Sequence, residues 1–109
     1  MSLKDLRTEE LLRHLAAEFI SRESNRLSLI TVTAVQLSDR RTHATVFVTI
    51  FPEDRKEEAL DFMNRNRSEF REYIKKHAKL QKLPYVQFAL DLGEKNRQRI
   101  DELSSEEEQ

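Results

Sequence analysis

Residues 70–88 read FREYIKKHAKLQKLPYVQF. Phe70, Tyr73, Ile74 and Ala78 recur at three- and four-residue steps, the spacing of one apolar helix face. Pro84 forbids further helix but is tolerated where a strand begins. Beyond it Val86, Phe88 and Leu90 alternate with Tyr85, Gln87 and Ala89. A helix that passes through one proline into an alternating strand predicts a helix packed on the sheet which that strand joins. The same stretch holds Lys75, Lys76, Lys79 and Lys82, although the whole chain has a net charge of -1.

Upstream, Pro52 closes a strand, and Glu53 and Asp54 open a helical pattern through Ala59, Leu60 and Met63. The pattern falters at NRNRS, residues 64–68, which offers no apolar side chain and only mediocre helix formers. Asn66, with Glu69 three residues on, has the spacing of a capping box. The spacing predicts two helices, 54–65 and 67–80, meeting at a kink.

Before them, residues 42–51 (THATVFVTIF) place Ala44, Val46, Val48 and Ile50 on one strand face. In residues 27–38 (LSLITVTAVQLS) the apolar parity switches from Ile30 and Val32 to Val35 and Leu37, which predicts a bulge near Thr33 or Ala34. The short link SDRR makes these two strands an antiparallel hairpin. At the start, Leu3, Leu6, Leu11, Leu12, Leu15, Ala16, Phe19 and Ile20 predict an amphipathic helix capped by Ser2 or Thr8, followed by a connector over 21–26. After Gly93 a short helical turn at Ile100 and Leu103 precedes SSEEEQ. The reading is an α+β domain over 1–103, in the order α-β-β-α-(kink)-α-β, with a three-stranded sheet, helices on one face, and a disordered acidic tail at 104–109.

The chain has 109 residues, 38% hydrophobic and 36% charged, one domain's worth with heavily charged outer faces. With no cysteine, disulfides and thiolate sites are excluded and a reducing compartment such as the cytoplasm is favoured. Apolar runs fall far short of the ~20 residues that span a bilayer, and no leader follows Met1, so no membrane partner is expected. One glycine cannot build a dinucleotide or P-loop cradle, and no serine stands at a nucleophile elbow. His14, His43 and His77 lie in separate elements without metal-ligand spacing. Glu9 with Glu10, Glu57 with Glu58, and Glu106 to Glu108 are neighbours on exposed faces. No enzyme, cofactor, metal or small-molecule substrate is expected.

Charge is uneven: -2 over 1–63, +5 over 64–82 and -4 over 91–109, which sum to the total. Arg67, Arg71, Lys75 and Lys82 would form a stripe on one helix, extended by Lys79 and flanked by Arg65 and Lys76. Such a stripe can displace counterions from a phosphate backbone; a solvated helix face has the same composition. Asn66 and Ser68 could donate to phosphate at a helix N-terminus, or simply cap it. Phe51 and Phe88 are assigned to core or rim packing, and Tyr85 or Phe47 only secondarily to stacking on unpaired bases. The absence of Gly-x-x-Gly argues against an ordinary K-homology reader of single strands. From the residues alone, a protein-binding or dimerising module acting through its sheet face or acidic tail stays open beside RNA binding.

The strings ITVTAVQLS, ATVFVTIF, REYIKKHAKLQKLPYVQFALD and RIDEL, in that order, resemble the ribosome-binding factor A family, whose fold is similar to a type II K-homology domain. The resemblance covers most of residues 9–103. It implies a non-catalytic protein that binds the small (30S) ribosomal subunit and its 16S rRNA late in assembly, supports rRNA maturation, and matters most in the cold; a cytoplasmic monomer is expected. It places the RNA-binding surface at Arg65, Asn66, Arg67, Ser68, Arg71, Lys75, Lys76, Lys79 and Lys82. The family's kink carries alanine-x-glycine where this chain has Asn66, Arg67 and Ser68.

Overall fold

A computed structural model describes residues 2–23 and 29–93. The elements are α1 (Leu3–Glu23), β1 (Leu29–Leu37), β2 (His43–Phe51), a 3-10 turn (Glu53–Arg55), α2 (Lys56–Arg65), α3 (Arg67–His77) and β3 (Tyr85–Leu90). The order matches the sequence reading. Residues 21–23, read as connector, continue α1; the rest of the connector, the turn at 100–103 and the tail at 104–109 lie outside the described residues.

β2 is central. β1 pairs with it antiparallel through the short link, whereas β3 joins it parallel because the α2–α3 connection returns the chain to the same end of the sheet. The register slips between Val32 and Ala34, the predicted bulge. That slip turns Ile30, Val32, Val35 and Leu37 to one face despite their opposite parity, opposite Ile50, Val48, Val46 and Ala44. The Thr33 hydroxyl lies 3.2 Å from the Phe47 carbonyl oxygen and 2.5 Å from Asp91 Oδ2, tying the bulge to the chain beyond β3.

All three helices bury their apolar residues against that face. Leu12, Leu15, Ala16, Phe19 and Ile20 of α1 meet Met63 of α2, Phe70 and Ile74 of α3, and Val46, Val86 and Phe88 of the sheet. Phe70 stands between Phe19 and Phe88, with ring centroids 5.2 and 5.7 Å away. Burying each such ring contributes roughly 1.5–3 kcal/mol. Leu3 and Leu6 are exposed, so the apolar stripe of α1 serves the core only from its second half of turns onward. α1 is capped by Ser2, whose Oγ accepts from the Asp5 amide at 3.2 Å while Asp5 Oδ2 accepts from the Ser2 amide at 3.2 Å. The Thr8 hydroxyl instead donates to the Lys4 carbonyl at 2.9 Å.

The last helix ends earlier than its expected boundary at 80. Ala78 is extended (φ -145, ψ 149), and its amide makes the final helical bond to Ile74. Nine residues of helix separate Ile74 from Leu83, about 180° of rotation, so a longer helix would have aimed Leu83 away from the core that Ile74 enters. Leaving the helix lets Leu80 and Leu83 both pack against the core.

Candidate nucleic-acid interface

The kink is a one-residue joint. Asn66 (φ -99, ψ 16) closes α2 with its amide on the Met63 carbonyl at 3.1 Å and opens α3 with its carbonyl accepting from the Phe70 amide at 3.0 Å. The expected capping box is not formed. Asn66 makes no side-chain cap bond to α3, and its Nδ2 donates back to the Phe62 carbonyl at 2.7 Å. A residue that ends one helix and starts the next has no extended backbone turn in which to aim its side chain forward. Arg67 fixes the joint from the other side, its Nε donating to the Asn64 carbonyl at 2.8 Å.

Asn64, which the sequence reading passed over, anchors this joint to the sheet. Its Nδ2 donates to the Phe88 carbonyl at 3.2 Å and its Oδ1 accepts from the Phe88 amide at 3.0 Å. β3 is an edge strand, and this side-chain amide pairs with its outer rim as a neighbouring strand would. The signal was present: asparagine is a poor helix former, and its place in the last turn of a helix calls for a bond that the helix does not supply.

The basic residues divide into two sets. Arg71 is engaged within the fold: Nε donates to the Pro84 carbonyl at 3.0 Å, Nη2 to the Leu83 carbonyl at 3.2 Å, and its guanidinium lies 4.6 Å from the centre of the Tyr85 ring. It braces the loop that delivers β3 to the sheet. Lys75, Lys76, Lys79 and Lys82 are exposed, and none forms an ion pair with a carboxylate of the described residues. Lys75 and Lys76 occupy the last turn of α3, where the helix dipole favours cations. Lys79 and Lys82 lie past its end, so the continuous stripe expected on one helix is instead a helical patch followed by a loop patch.

Around the joint itself the charge is mixed. A shallow depression there is lined by Glu58 and Asp61 as well as Asn64, Arg65, Arg67 and Ser68. Glu58 pairs with Arg55 at 3.3 Å.

The sheet aromatics also separate. Phe47, considered for stacking, is fully buried on the face opposite the helices and is closed to a base. Phe51, assigned to packing, is 72% exposed beside an exposed Leu29, its register partner. Phe88 is in the core as expected, and Tyr85 is 62% exposed with Arg71 over its ring. Phe47 and Phe51 share one parity, so only their places along the strand decide which of them is covered.

The ribosome-binding factor A profile matches residues 4–104. The chain belongs to the ribosome-binding factor A family. A ribosome-binding factor A from Kosmotoga olearia is 30% identical over 80 residues, which is 72% of this chain and 64% of that protein. One from Tropheryma whipplei is 35% identical over 73% of this chain and 41% of that protein. The aligned region thus spans less than two thirds of either relative. In three dimensions the crystal structure of ribosome-binding factor A from Thermus thermophilus superposes with a TM-score of 0.70 at 30% identity, covering 79% of this chain and 94% of that one. A Thermus thermophilus ribosome-binding factor A fitted into a cryo-EM map of a 30S complex superposes at 0.66 with 27% identity, over 74% of this chain and 88% of that one. The kinked helix pair and the mixed three-stranded sheet are therefore those of the ribosome-binding factor A fold.

Proposed function

We propose that this chain is a non-catalytic assembly factor that binds the small ribosomal subunit, contacts its 16S rRNA through phosphate groups, and supports late maturation of that RNA. One observation carries the reading: Lys75 and Lys76 in the last turn of α3 and Lys79 and Lys82 in the loop beyond it are exposed, and none forms an ion pair with a carboxylate of the described residues. Unpaired ammonium groups concentrated on one surface attract polyanion and release its counterions. The 30S complex of the Thermus relative supports the choice of polyanion.

Arg65, Lys75, Lys76, Lys79 and Lys82 supply the charge. Asn66, Arg67 and Arg71 hold the joint and loop from which those cations project, and Ser68 is exposed beside them. Recognition of this kind reads backbone shape more than base identity. The protein then acts by occupancy, favouring the RNA conformation that it binds. It works in the cytoplasm as a monomer, without cofactor, and its contribution is greatest in the cold.

Replacing Lys75, Lys76 and Lys79 together with glutamate tests this. Folding stability should change by no more than ~1 kcal/mol, as for exposed sites. Cosedimentation with 30S subunits should weaken more than tenfold, and the slope of log K against log salt should fall by about 2–3 units. Unchanged affinity with an unchanged slope would remove the proposed surface. The second reading, a protein-binding module, rests on the exposed Leu29–Phe51 pair. It requires association that is insensitive to salt and lost on Phe51→Ser.

A further inference from the structure

Four cations from three distant segments meet at the end of the molecule where β3 begins. A cavity there is lined by Lys4 of the first turn of α1, Arg41 of the β1–β2 turn, and Lys79 and Lys82 of the α3–β3 loop. Leu37, Leu80 and Pro84 form its apolar part, and Gln81 adds a side-chain donor, the Thr8 hydroxyl donating instead to the Lys4 carbonyl. The sequence pattern placed Arg41 in the hairpin link and did not single out Lys4.

Arg41 is held there at a conformational cost. Its φ of 58 is the left-handed region, which glycine or asparagine occupies more readily than arginine. The turn imposes it: the Arg41 amide donates to the Ser38 carbonyl at 2.9 Å, and the Ser38 hydroxyl oxygen accepts from the Thr42 and His43 amides at 3.1 Å each. The guanidinium is paired with Asp5 on α1, which directs it across the gap between turn and helix. Glu9 of α1 accepts from the Leu37 amide at 2.8 Å. Counting Asp5 against Arg41 and Glu9 against one lysine, two positive charges from Lys4, Lys79 and Lys82 remain in excess around a partly apolar hollow.

We infer that this cavity is a second phosphate-binding site for the same RNA, in which Lys4 and Arg41 join Lys79 and Lys82 to hold the backbone of one strand as it leaves α3. This rests on the RNA-binding reading above. It extends the surface around the end of the sheet to α1, and it gives the α3–β3 loop a double use: Lys79 and Lys82 face a polyanion while Leu80 and Leu83 anchor the loop in the core.

The test compares Lys4→Gln, Arg41→Gln and the double variant Lys75→Gln/Lys76→Gln for binding to 30S subunits over a range of salt. Lys4 is exposed, so its variant isolates charge from folding even if the strained turn suffers in Arg41→Gln. Each single variant should lower the salt slope by about 0.7–0.9 and weaken binding several-fold at 0.1 M salt. In a titration with a 12-residue oligouridylate, the backbone amides of Thr8 and Gln81 should shift in the parent protein and shift less in Lys4→Gln. If Lys4→Gln binds like the parent with the same slope while the Lys75/Lys76 variant weakens, the cavity is not a phosphate site and the α3 surface stands. If the Lys75/Lys76 variant is also unaffected, the RNA-binding reading itself falls.

Discussion

The kink at residues 64–68 and the basic run at 75–82 are both polar stretches, but the fold uses them in opposite ways. At the kink, Asn64 is bonded to Phe88, Asn66 to Phe62 and Arg67 to Asn64. In the basic run the lysines make no ion pair with the described residues, while Ala78 and Leu80 between them and Leu83 just beyond are drawn inward. Polar groups with internal partners set the shape; those without set the charge that a partner meets. The contrast teaches that a polar run cannot be assigned to binding until its internal hydrogen bonds are known.

Substitutions should divide along the same line. The largest stability loss is expected for Asn64→Ala, ~2–3 kcal/mol in urea denaturation, because both bonds to the edge strand vanish and the partly covered Phe88 amide loses its acceptor. Asn64→Asp should recover little, since a carboxylate accepts but cannot donate to the Phe88 carbonyl. Arg71→Lys should follow at ~1–2 kcal/mol, because an ammonium cannot reproduce the planar fork that bonds two successive carbonyls and lies over Tyr85. Asn66→Ala removes one bond to the Phe62 carbonyl and should cost about 0.5–1 kcal/mol with the kink retained. Lys75→Gln should change stability by less than ~0.5 kcal/mol while reducing 30S affinity. A lysine substitution that destabilised as much as Asn64→Ala, or an Asn64 substitution with no effect on the melting curve, would erase the distinction between the two regions.

The smallest expected effect is a pH dependence at the far end of α1. The Ser2 backbone amide, with the Ser2 hydroxyl and Arg41, holds the Asp5 carboxyl below the usual aspartate range. A folded value below the unfolded one means that its contribution is complete above the unfolded pKa and is lost as pH falls through the folded value. Urea midpoints measured between pH 7 and pH 3 should therefore decline less steeply for Asp5→Asn than for the parent. Equal slopes would show that the cap and the Arg41 pair do not distinguish the charged from the neutral form.

Element order, the hairpin, the bulge and the break near residue 66 were legible because each follows from local periodicity or backbone chemistry: alternation in strands, three- and four-residue steps in helices, and a run without apolar side chains at 64–68. The end of α3 was misplaced, because where a helix stops depends on which later leucines the core must receive, and that is a matter of direction across the whole domain. Phe47 and Phe51 were indistinguishable by parity, and only their positions along β2 separated a buried ring from an exposed one.

By itself the sequence determined the layered α+β plan and the local excess of positive charge, since composition and spacing act over a few residues and survive any later arrangement; its strings carried the resemblance to the family. The tertiary structure alone decided which cations are engaged and which are open. Arg71 and Lys75 stand four residues apart on one helix, yet Arg71 meets the Leu83 and Pro84 carbonyls while Lys75 is exposed without an ion pair among the described residues. Lys4 and Lys82, remote in sequence, line one cavity. A side chain's partners depend on what the folded chain brings within about 3 Å of it, and no spacing rule along the sequence carries that distance.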